Sequence, residues 1–91
     1  MEVAFGNRVR NGRVALGLGL GSVARRCHIA KGYLSMIETR KVAPPSWKVT
    51  RRLAKVLNLD ETEMLILGWA EKSPKPIRDE VLSRLHANGR R

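Results

Sequence analysis

Residues 19–38 of this chain read GLGSVARRCHIAKGYLSMIE, and this stretch decides how the rest of the sequence is interpreted. Its first part carries apolar residues at the i, i+3, i+4, i+7 spacing of one helical face, namely Leu20, Val23, Ala24 and Cys27. Its last part has Leu34 and Ile37 about one helical turn apart. The pattern predicts two short helices, over about 20–27 and 31–38, joined by a turn that begins at His28.

Helical patterns flank this pair on both sides. A first helix is expected over about 4–16 and ends at Gly17, with an inward face formed by Phe5, Val9, Val14 and Leu16. Ser46 is a good N-cap for a fourth helix over about 47–57, and Asp60 for a fifth over about 61–70. No segment alternates as a strand does, so the sequence predicts an all-α fold.

The end of the chain is predicted to be a separate element. Ser73-Pro74-Lys75-Pro76 indicates a hinge, and a sixth helix is expected over 77–88, with one apolar side formed by Ile77, Val81, Leu82 and Leu85. We therefore expect a helical domain over residues 1–71, followed by a hinge and a C-terminal helix over 72–91. The apolar side of that helix can close a dimer, pack on the core or bind another protein.

Charge is distributed unevenly along the chain. Its net charge is +10, and residues 1–55 hold twelve Lys and Arg against Glu2 and Glu38 alone, whereas residues 56–91 are neutral. A basic half of this kind binds polyanions by neutralising phosphates and releasing counterions. Nucleic acid is favoured over an anionic membrane surface, because few aromatic side chains are available to insert into a membrane interface. The same scarcity argues against stacking of single-stranded bases.

Two short helices with a tight turn, in a basic all-helical domain, describe a helix-turn-helix. The sequence resembles the lambda-repressor/Cro-type helix-turn-helix family, also called the Xre family, over residues 5–67. The resemblance rests on segments in the family's order and spacing: FGNRVR (5–10), LGL (16–18), VARR (23–26), Ile29, YLSMIE (33–38), Pro45-Ser46 and LAKVLNL (53–59). It implies a five-helix lambda-repressor-like DNA-binding domain, here with an additional C-terminal helix.

In this family the helix after the turn enters the major groove of DNA. The resemblance implies that helix 31–38 presents the base-contacting residues, which are Lys31, Gly32, Tyr33, Ser35 and Met36. Lys31 suits guanine O6 and N7, or a phosphate, and Met36 suits a thymine methyl group. Tyr33 can serve a base, a phosphate or packing.

Phosphate contacts in the family come from the N-terminus of the second helix, the first helix and the loop after the recognition helix. Carried over to this chain, through side chains and backbone N–H groups, they are Arg8, Arg10, Leu20, Gly21, Ser22, Arg40, Lys41, Ser46, Trp47 and Lys48. Other basic residues of the second and fourth helices can reach a phosphate or stay in solvent: Arg25, Arg26, Arg51, Arg52 and Lys55.

One pair is expected to be structural. The family often pairs an Arg of the first helix with a Glu at the end of the recognition helix, and Arg13 and Glu38 hold those positions. The resemblance implies a semi-buried ion pair that orients the recognition helix, in which loss of one partner leaves an uncompensated charge.

Several positions depart from the family pattern. Gly19 and Leu20 replace the usual Ser/Thr and Gln at the start of the second helix, so the Leu20 side chain cannot grip a phosphate. His28 stands where the turn usually has a left-handed Gly, at a strain of roughly 1–2 kcal/mol. Ala30 replaces the usual Ser/Thr cap of the recognition helix, and Arg40 takes a place often held by Gly.

Other functions are disfavoured by the sequence. The repeated glycines of GLGLGS (17–22) do not indicate a nucleotide loop, because 91 residues leave no room for a dinucleotide-binding sheet. We expect no enzyme and no metal or other cofactor, because the histidines form no nucleophile–base set and Cys27 falls on an apolar face. The sequence has no run of 18 or more apolar residues, so no membrane span is expected. A single cysteine fits a reducing, cytoplasmic location.

The sequence thus predicts a sequence-specific, double-stranded DNA-binding transcriptional regulator. We expect a dimeric repressor on a pseudo-palindromic operator whose half-sites lie about one helical turn apart. The alternative is an antitoxin-like or adaptor protein whose helix-turn-helix domain also serves as a protein-interaction platform, with a protein partner held through residues 74–88. A third interpretation makes these residues the DNA-binding part of a longer repressor.

Overall fold

Five α-helices follow one another in the part of the chain that the structure describes. The computed structural model describes residues 4–73 and 83–84, with α1 (Phe5–Ala15), α2 (Leu20–Arg26), α3 (Lys31–Glu38), α4 (Trp47–Leu57) and α5 (Glu61–Lys72). These residues contain no strand, and the predicted all-α fold is confirmed. Residues 83 and 84 are helical, while the rest of the predicted sixth helix and residues 74–76 of the predicted hinge lie outside the described residues.

The five helices share one core. α4 packs on α5, α1 packs on α3, α4 and α5, and α2 packs on α3 and α4. The largest fully buried side chains come from every helix and are Phe5, Val9, Val23, Cys27, Leu34, Leu53, Met64 and Leu67. Helices this short are marginal alone, so their stability comes from burying these apolar faces together. Between residues 4 and 73, no helix has the length and apolar character needed to cross a bilayer.

Four helices end in the same way. After each of α1 to α4 one residue adopts a left-handed conformation, and these residues are Gly17 (φ 68°), His28 (φ 59°), Arg40 (φ 63°) and Asn58 (φ 56°). The N–H of the following residue then donates to a carbonyl of the last helical turn, as from Leu18 to Arg13 (3.1 Å). This is the Schellman motif, which satisfies carbonyls that the helix leaves open. The left-handed conformation that the sequence predicts for His28 is confirmed.

The inward face of α1 differs from the prediction. Val14 and Leu16 are 59% and 48% exposed, so the expectation that they line the core is wrong. The helix ends at Ala15, which leaves Leu16 as its C-cap. The inward position one turn after Val9 is taken by Arg13, whose side chain is engaged by Glu38.

Side-chain carboxylates make hydrogen bonds at both ends of α5. The Asp60 carboxylate caps α5 by accepting from the Glu63 N–H (2.8 Å), and the predicted cap is confirmed. At the other end α5 runs two residues beyond its predicted end. There the Glu71 carboxylate accepts from the Phe5 N–H at the start of α1, which has no side-chain cap of its own. The last turn of α5 is therefore part of the helical domain.

Candidate nucleic-acid interface

The turn between α2 and α3 is a tight structural element. Cys27 follows α2 and is fully buried in the core, and the Ile29 N–H donates to the Ala24 carbonyl (3.0 Å). Ala30 then begins α3 in an extended conformation, without a side-chain cap. Ile29 packs against the core and Leu34 is fully buried, so the turn is held from both sides and fixes how α3 leaves it.

α3 has one buried and one open face. Leu34, Ile37 and Glu38 are buried, whereas Lys31 and Gly32 in its first turn are exposed. Among the described residues, and apart from the backbone of α3 itself and the two neighbours of Gly32, no atom lies within 4 Å of a Cβ atom added at Gly32. A helix of this kind is anchored along one side and leaves a polar end free to enter a groove.

The structure separates the five predicted base-contacting residues into two groups. Lys31, Gly32 and Met36 are solvent-exposed, and Ser35 is half-buried. The Tyr33 ring is half-buried and packs against the core, which favours the packing role among those open to it.

The N-terminus of α2 lies beside the N-terminus of α3. A Cβ atom added to Gly21 would stand 3.9 Å from the Lys31 Cδ atom. Gly19 caps α2 without a side-chain hydrogen bond, and Leu20 packs partly against the core. Because the first N–H groups of a helix have no intrahelical acceptor, Leu20, Gly21 and Ser22 offer backbone donors on this side.

A second group of predicted phosphate contacts follows α3. Arg40 and Lys41 are exposed directly after the helix. Ser46 caps α4 as predicted, with its hydroxyl accepting from the Val49 N–H (3.4 Å). Trp47 is 58% exposed, and Lys48 lies over its ring with the Nζ atom 5.7 Å from the ring centroid. The loop and the first turn of α4 thus combine positive charge with an exposed aromatic ring.

Thr50 and Lys72, which the sequence pattern does not single out, hold this loop in place. The Pro45 carbonyl accepts from the Thr50 hydroxyl (3.4 Å) and from the Lys72 ammonium group (3.1 Å). Lys72 is 27 residues away in sequence. No local pattern could have identified it, because its contact depends on how α5 packs.

A semi-buried ion pair joins α1 to the last residue of α3. The Arg13 guanidinium donates to both oxygens of Glu38, from Nε to Oε2 (2.8 Å) and from Nη2 to Oε1 (3.0 Å). Its third donor, Nη1, reaches the Leu18 carbonyl (3.0 Å). Glu38 is buried, and the hydrogen bond with its carboxylate raises the pKa of Arg13 above its usual value. One side chain therefore joins α1, the loop before α2 and the last residue of α3.

The two predicted phosphate contacts of α1 have different surroundings. Arg10 is exposed, whereas the Nη1 atom of Arg8 lies 2.5 Å from the Glu63 Oε1 atom in a half-buried ion pair with α5. A phosphate contact by Arg8 stays a prediction, and it would require the guanidinium to share Glu63 with the phosphate or to leave it.

Cys27 is a core residue. Its thiol is fully buried, and burial raises its pKa, against a smaller opposite effect of the Arg52 charge. A protonated, buried thiol is a poor nucleophile and a poor metal ligand. Within residues 4–73 and 83–84, no three His, Cys, Asp or Glu side chains are grouped as metal ligands.

Comparison with known proteins agrees with this geometry. Neither the curated proteins nor the solved structures include a match to this chain. A family model described as a helix-turn-helix domain matches residues 4–65, which is more than half of the chain and includes all of α1 to α4. The chain therefore belongs to the helix-turn-helix domain family, a family of DNA-binding domains.

Proposed function

We propose that this protein is a transcriptional regulator of the lambda-repressor/Cro type, or Xre family, that binds double-stranded DNA in a sequence-specific manner. The observation that carries the proposal is the open face of α3. Lys31 and Gly32 are exposed at its first turn, while Leu34 and Ile37 hold the helix to the core. The major groove of B-DNA is wide enough for one α-helix presented in this way.

Base recognition is assigned to α3. Lys31 donates to guanine O6 and N7, Ser35 bonds a base edge, and Met36 packs against a thymine methyl group. Gly32 allows the backbone to approach the groove closely, since the space beside it is open. Tyr33 is given the smaller role of supporting the helix, because its ring packs partly against the core.

Phosphate binding is assigned to both sides of α3. On one side are the backbone N–H groups of residues 20–22, and on the other are the exposed Arg40, Lys41 and Lys48 together with the first N–H groups of α4. These contacts carry no sequence information, but they set the register of the protein on the duplex. The proposal is for a binding protein without enzymatic activity or cofactor.

We further propose that the protein is a dimeric repressor, with a DNA-binding domain over residues 1–71 and a dimer contact made by the segment 72–91. Each subunit would then occupy one half-site, and the two half-sites would be about one helical turn apart. Access to genomic DNA would require the cytoplasmic location that the sequence predicts.

A second candidate function is an antitoxin-like or adaptor role. One observation favours it: Trp47 and Trp69, 58% and 55% exposed, line a single groove of about 300 Å³ together with Leu65. Exposed Trp side chains in apolar grooves are enriched among residues that dominate protein–protein binding. The partner contact expected at residues 74–88 lies, except for residues 83 and 84, outside the described residues.

Selection from a pool of random duplexes, combined with mass measurement of the free protein, tests both candidates. The regulator predicts an enriched, two-fold symmetric site and a dimer. It also predicts an affinity that falls steeply with salt, since log K drops by about 0.9 per phosphate contact for each tenfold rise in salt. Enrichment of no sequence, together with quenching or shift of Trp fluorescence by a co-purifying protein, would instead support the adaptor.

A further inference from the structure

The outer face of α4 carries a row of positive charge. Four basic residues recur at the i, i+3, i+4, i+7 spacing of one helical face, are all exposed and line one groove with Trp47: Lys48, Arg51, Arg52 and Lys55. We call these four residues the α4 basic stripe. It lies opposite the buried face of the helix, which includes Leu53 and Leu57. Core packing therefore does not explain why these positions are basic.

Most of this charge is uncompensated. Within residues 4–73, only Arg51 of the stripe has a carboxylate partner, with its Nε atom 3.2 Å from the Glu61 Oε1 atom. That pair is exposed to solvent, so the attraction between its two charges is weak. Lys48, Arg52 and Lys55 lie within two helical turns of one another, so their positive charges repel each other. A polyanion bound at this face would reduce that repulsion.

The stripe is continuous with the proposed DNA-binding edge. Lys48, its first member, belongs to the turn of α4 that follows the Arg40–Lys41 loop. Lys48 and Arg51 both lie over the Trp47 ring, with the Arg51 Cζ atom 5.9 Å from its centroid. From Lys48 the stripe runs for about 10 Å along the helix, because each residue adds about 1.5 Å.

We propose that Arg52 and Lys55, the far end of the α4 basic stripe, bind backbone phosphates of duplex DNA that extends beyond the recognised half-site. The inference rests on the proposed DNA-binding function. Charge complementarity and continuity with the Lys48 edge favour DNA over an acidic protein segment as the occupant. The contact adds affinity without sequence preference, because only phosphates are touched.

The test compares two duplexes that carry the selected site. One ends at the edges of the site, and the other continues for about ten base pairs on each side, roughly one helical turn. Binding to each is titrated by fluorescence anisotropy between about 50 and 200 mM salt. The proteins are the full chain, Arg52→Gln/Lys55→Gln, and Arg25→Gln/Arg26→Gln as a control that removes equal charge from the exposed end of α2. Thermal melts establish that each variant is folded.

On the longer duplex, we expect the unaltered chain to show a log–log salt slope steeper by about 2 for each bound subunit, and so by about 4 for a dimer, one unit for each added contact. Arg52→Gln/Lys55→Gln should give the same slope on both duplexes, whereas the α2 control should keep the difference. A stripe variant that retains the full difference, or an unaltered chain without one, overturns the proposal. The proposal would also be overturned if Arg52→Gln/Lys55→Gln lost binding to poly-glutamate while its salt slopes on DNA stayed those of the unaltered chain. That result would assign the stripe to an acidic protein.

If the protein does not bind a specific DNA sequence, the experiment gives a different result. In that case the selection enriches no sequence, and the same proteins are titrated on a duplex of arbitrary sequence. A salt slope lower by about 2 per bound subunit in the stripe variant would still support phosphate binding by Arg52 and Lys55. An equal slope in all three proteins would reject it.

Discussion

The α2–α3 pair and the α4–α5 pair are both two-helix units, but they are specified in different ways. Side chains cap both helices of the second unit, Ser46 at α4 and Asp60 at α5, and α4 ends at Asn58, a residue that tolerates the left-handed conformation. Neither helix of the first unit has a side-chain cap at its start. After its two helices, His28 and Arg40 adopt that conformation without the Gly or Asn that visits it most readily.

Tertiary contacts replace the local signals that the α2–α3 pair lacks. The Arg13 guanidinium binds both the Glu38 carboxylate at the end of α3 and the Leu18 carbonyl before α2. Gly6 lets α1 approach the last turn of α3 closely. α1 thus holds the α2–α3 pair on its inner side, and Lys31 and Gly32 stay exposed on the opposite side. The following changes test this division, from the largest expected effect to the smallest.

Gly6→Ala should break the α1–α3 contact. An added Cβ atom would lie 2.3 Å from the Ile37 carbonyl oxygen and 3.0 Å from that of Glu38, and backbone atoms cannot move aside as a side chain tip can. We expect a loss of at least about 3 kcal/mol in the free energy of unfolding, measured by urea denaturation.

The matched control is Gly32→Ala in α3, where no described residue of another element lies within 4 Å of the added Cβ atom. It should raise the free energy of unfolding by up to about 1 kcal/mol, because Ala favours helix more than Gly does. Equal effects of the two substitutions would show that α1 does not hold the α2–α3 pair.

Glu38→Ala should be the next most damaging change. It leaves the Arg13 guanidinium without its carboxylate in a largely buried position, although Arg13 keeps some access to solvent. We expect a loss of about 2–3 kcal/mol and a melting temperature lower by roughly 10–20 °C. DNA affinity should fall with it, because α3 loses its anchor.

Glu63→Ala is the control for Glu38→Ala, since it removes the more exposed Arg8–Glu63 pair. Its cost should stay below about 1 kcal/mol. If Glu38→Ala left both the melting temperature and DNA affinity unchanged, the pair would have no orienting role.

Local signals explain how much of this fold could be predicted from the sequence. The predicted ranges 31–38 and 47–57 agree with α3 and α4, because apolar spacing and the Ser46 cap both act within a few residues. The placement of candidate DNA-contacting residues on α3 and its neighbouring loops is what the resemblance to the lambda-repressor/Cro-type family implies, and local spacing alone does not give it. Their contacts with DNA stay predictions.

Long-range contacts could not be predicted in this way. The bond from the Phe5 N–H to Glu71 joins residues 66 apart, and Arg8 and Glu63 are 55 apart. The expectation that Val14 and Leu16 line the core is wrong for a related reason, since apolar spacing alone does not reveal that a charged Arg13 takes the inward position. Such choices depend on the partner that folding brings near.

His28→Gly tests whether the residue after α2 is more strained than the residue after α4. Gly adopts a φ of 59° without the steric cost that a Cβ atom imposes, so we expect a gain of about 1 kcal/mol in urea denaturation. Asn58→Gly, at a φ of 56° after α4, should change stability by only a few tenths of a kcal/mol, because Asn visits this region readily. Equal gains at both sites would mean that the turn after α2 is no more strained than the end of α4.

The smallest expected effect is a pH dependence that arises from Cys27, the residue that follows α2. Burial raises the pKa of the Cys27 thiol in the folded state, so the folded protein keeps a proton that the unfolded chain releases above about pH 8.5. The stabilising contribution is therefore complete below that pH and is lost as the pH rises towards the folded-state pKa. At pH 9 the loss is at most about 1 kcal/mol. Urea denaturation under reducing conditions at pH 7 and 9 measures it as the difference between the unaltered chain and Cys27→Ala, in which other titrating groups cancel. A difference that stays constant between the two pH values would show that the thiol ionises as easily in the folded core as in water.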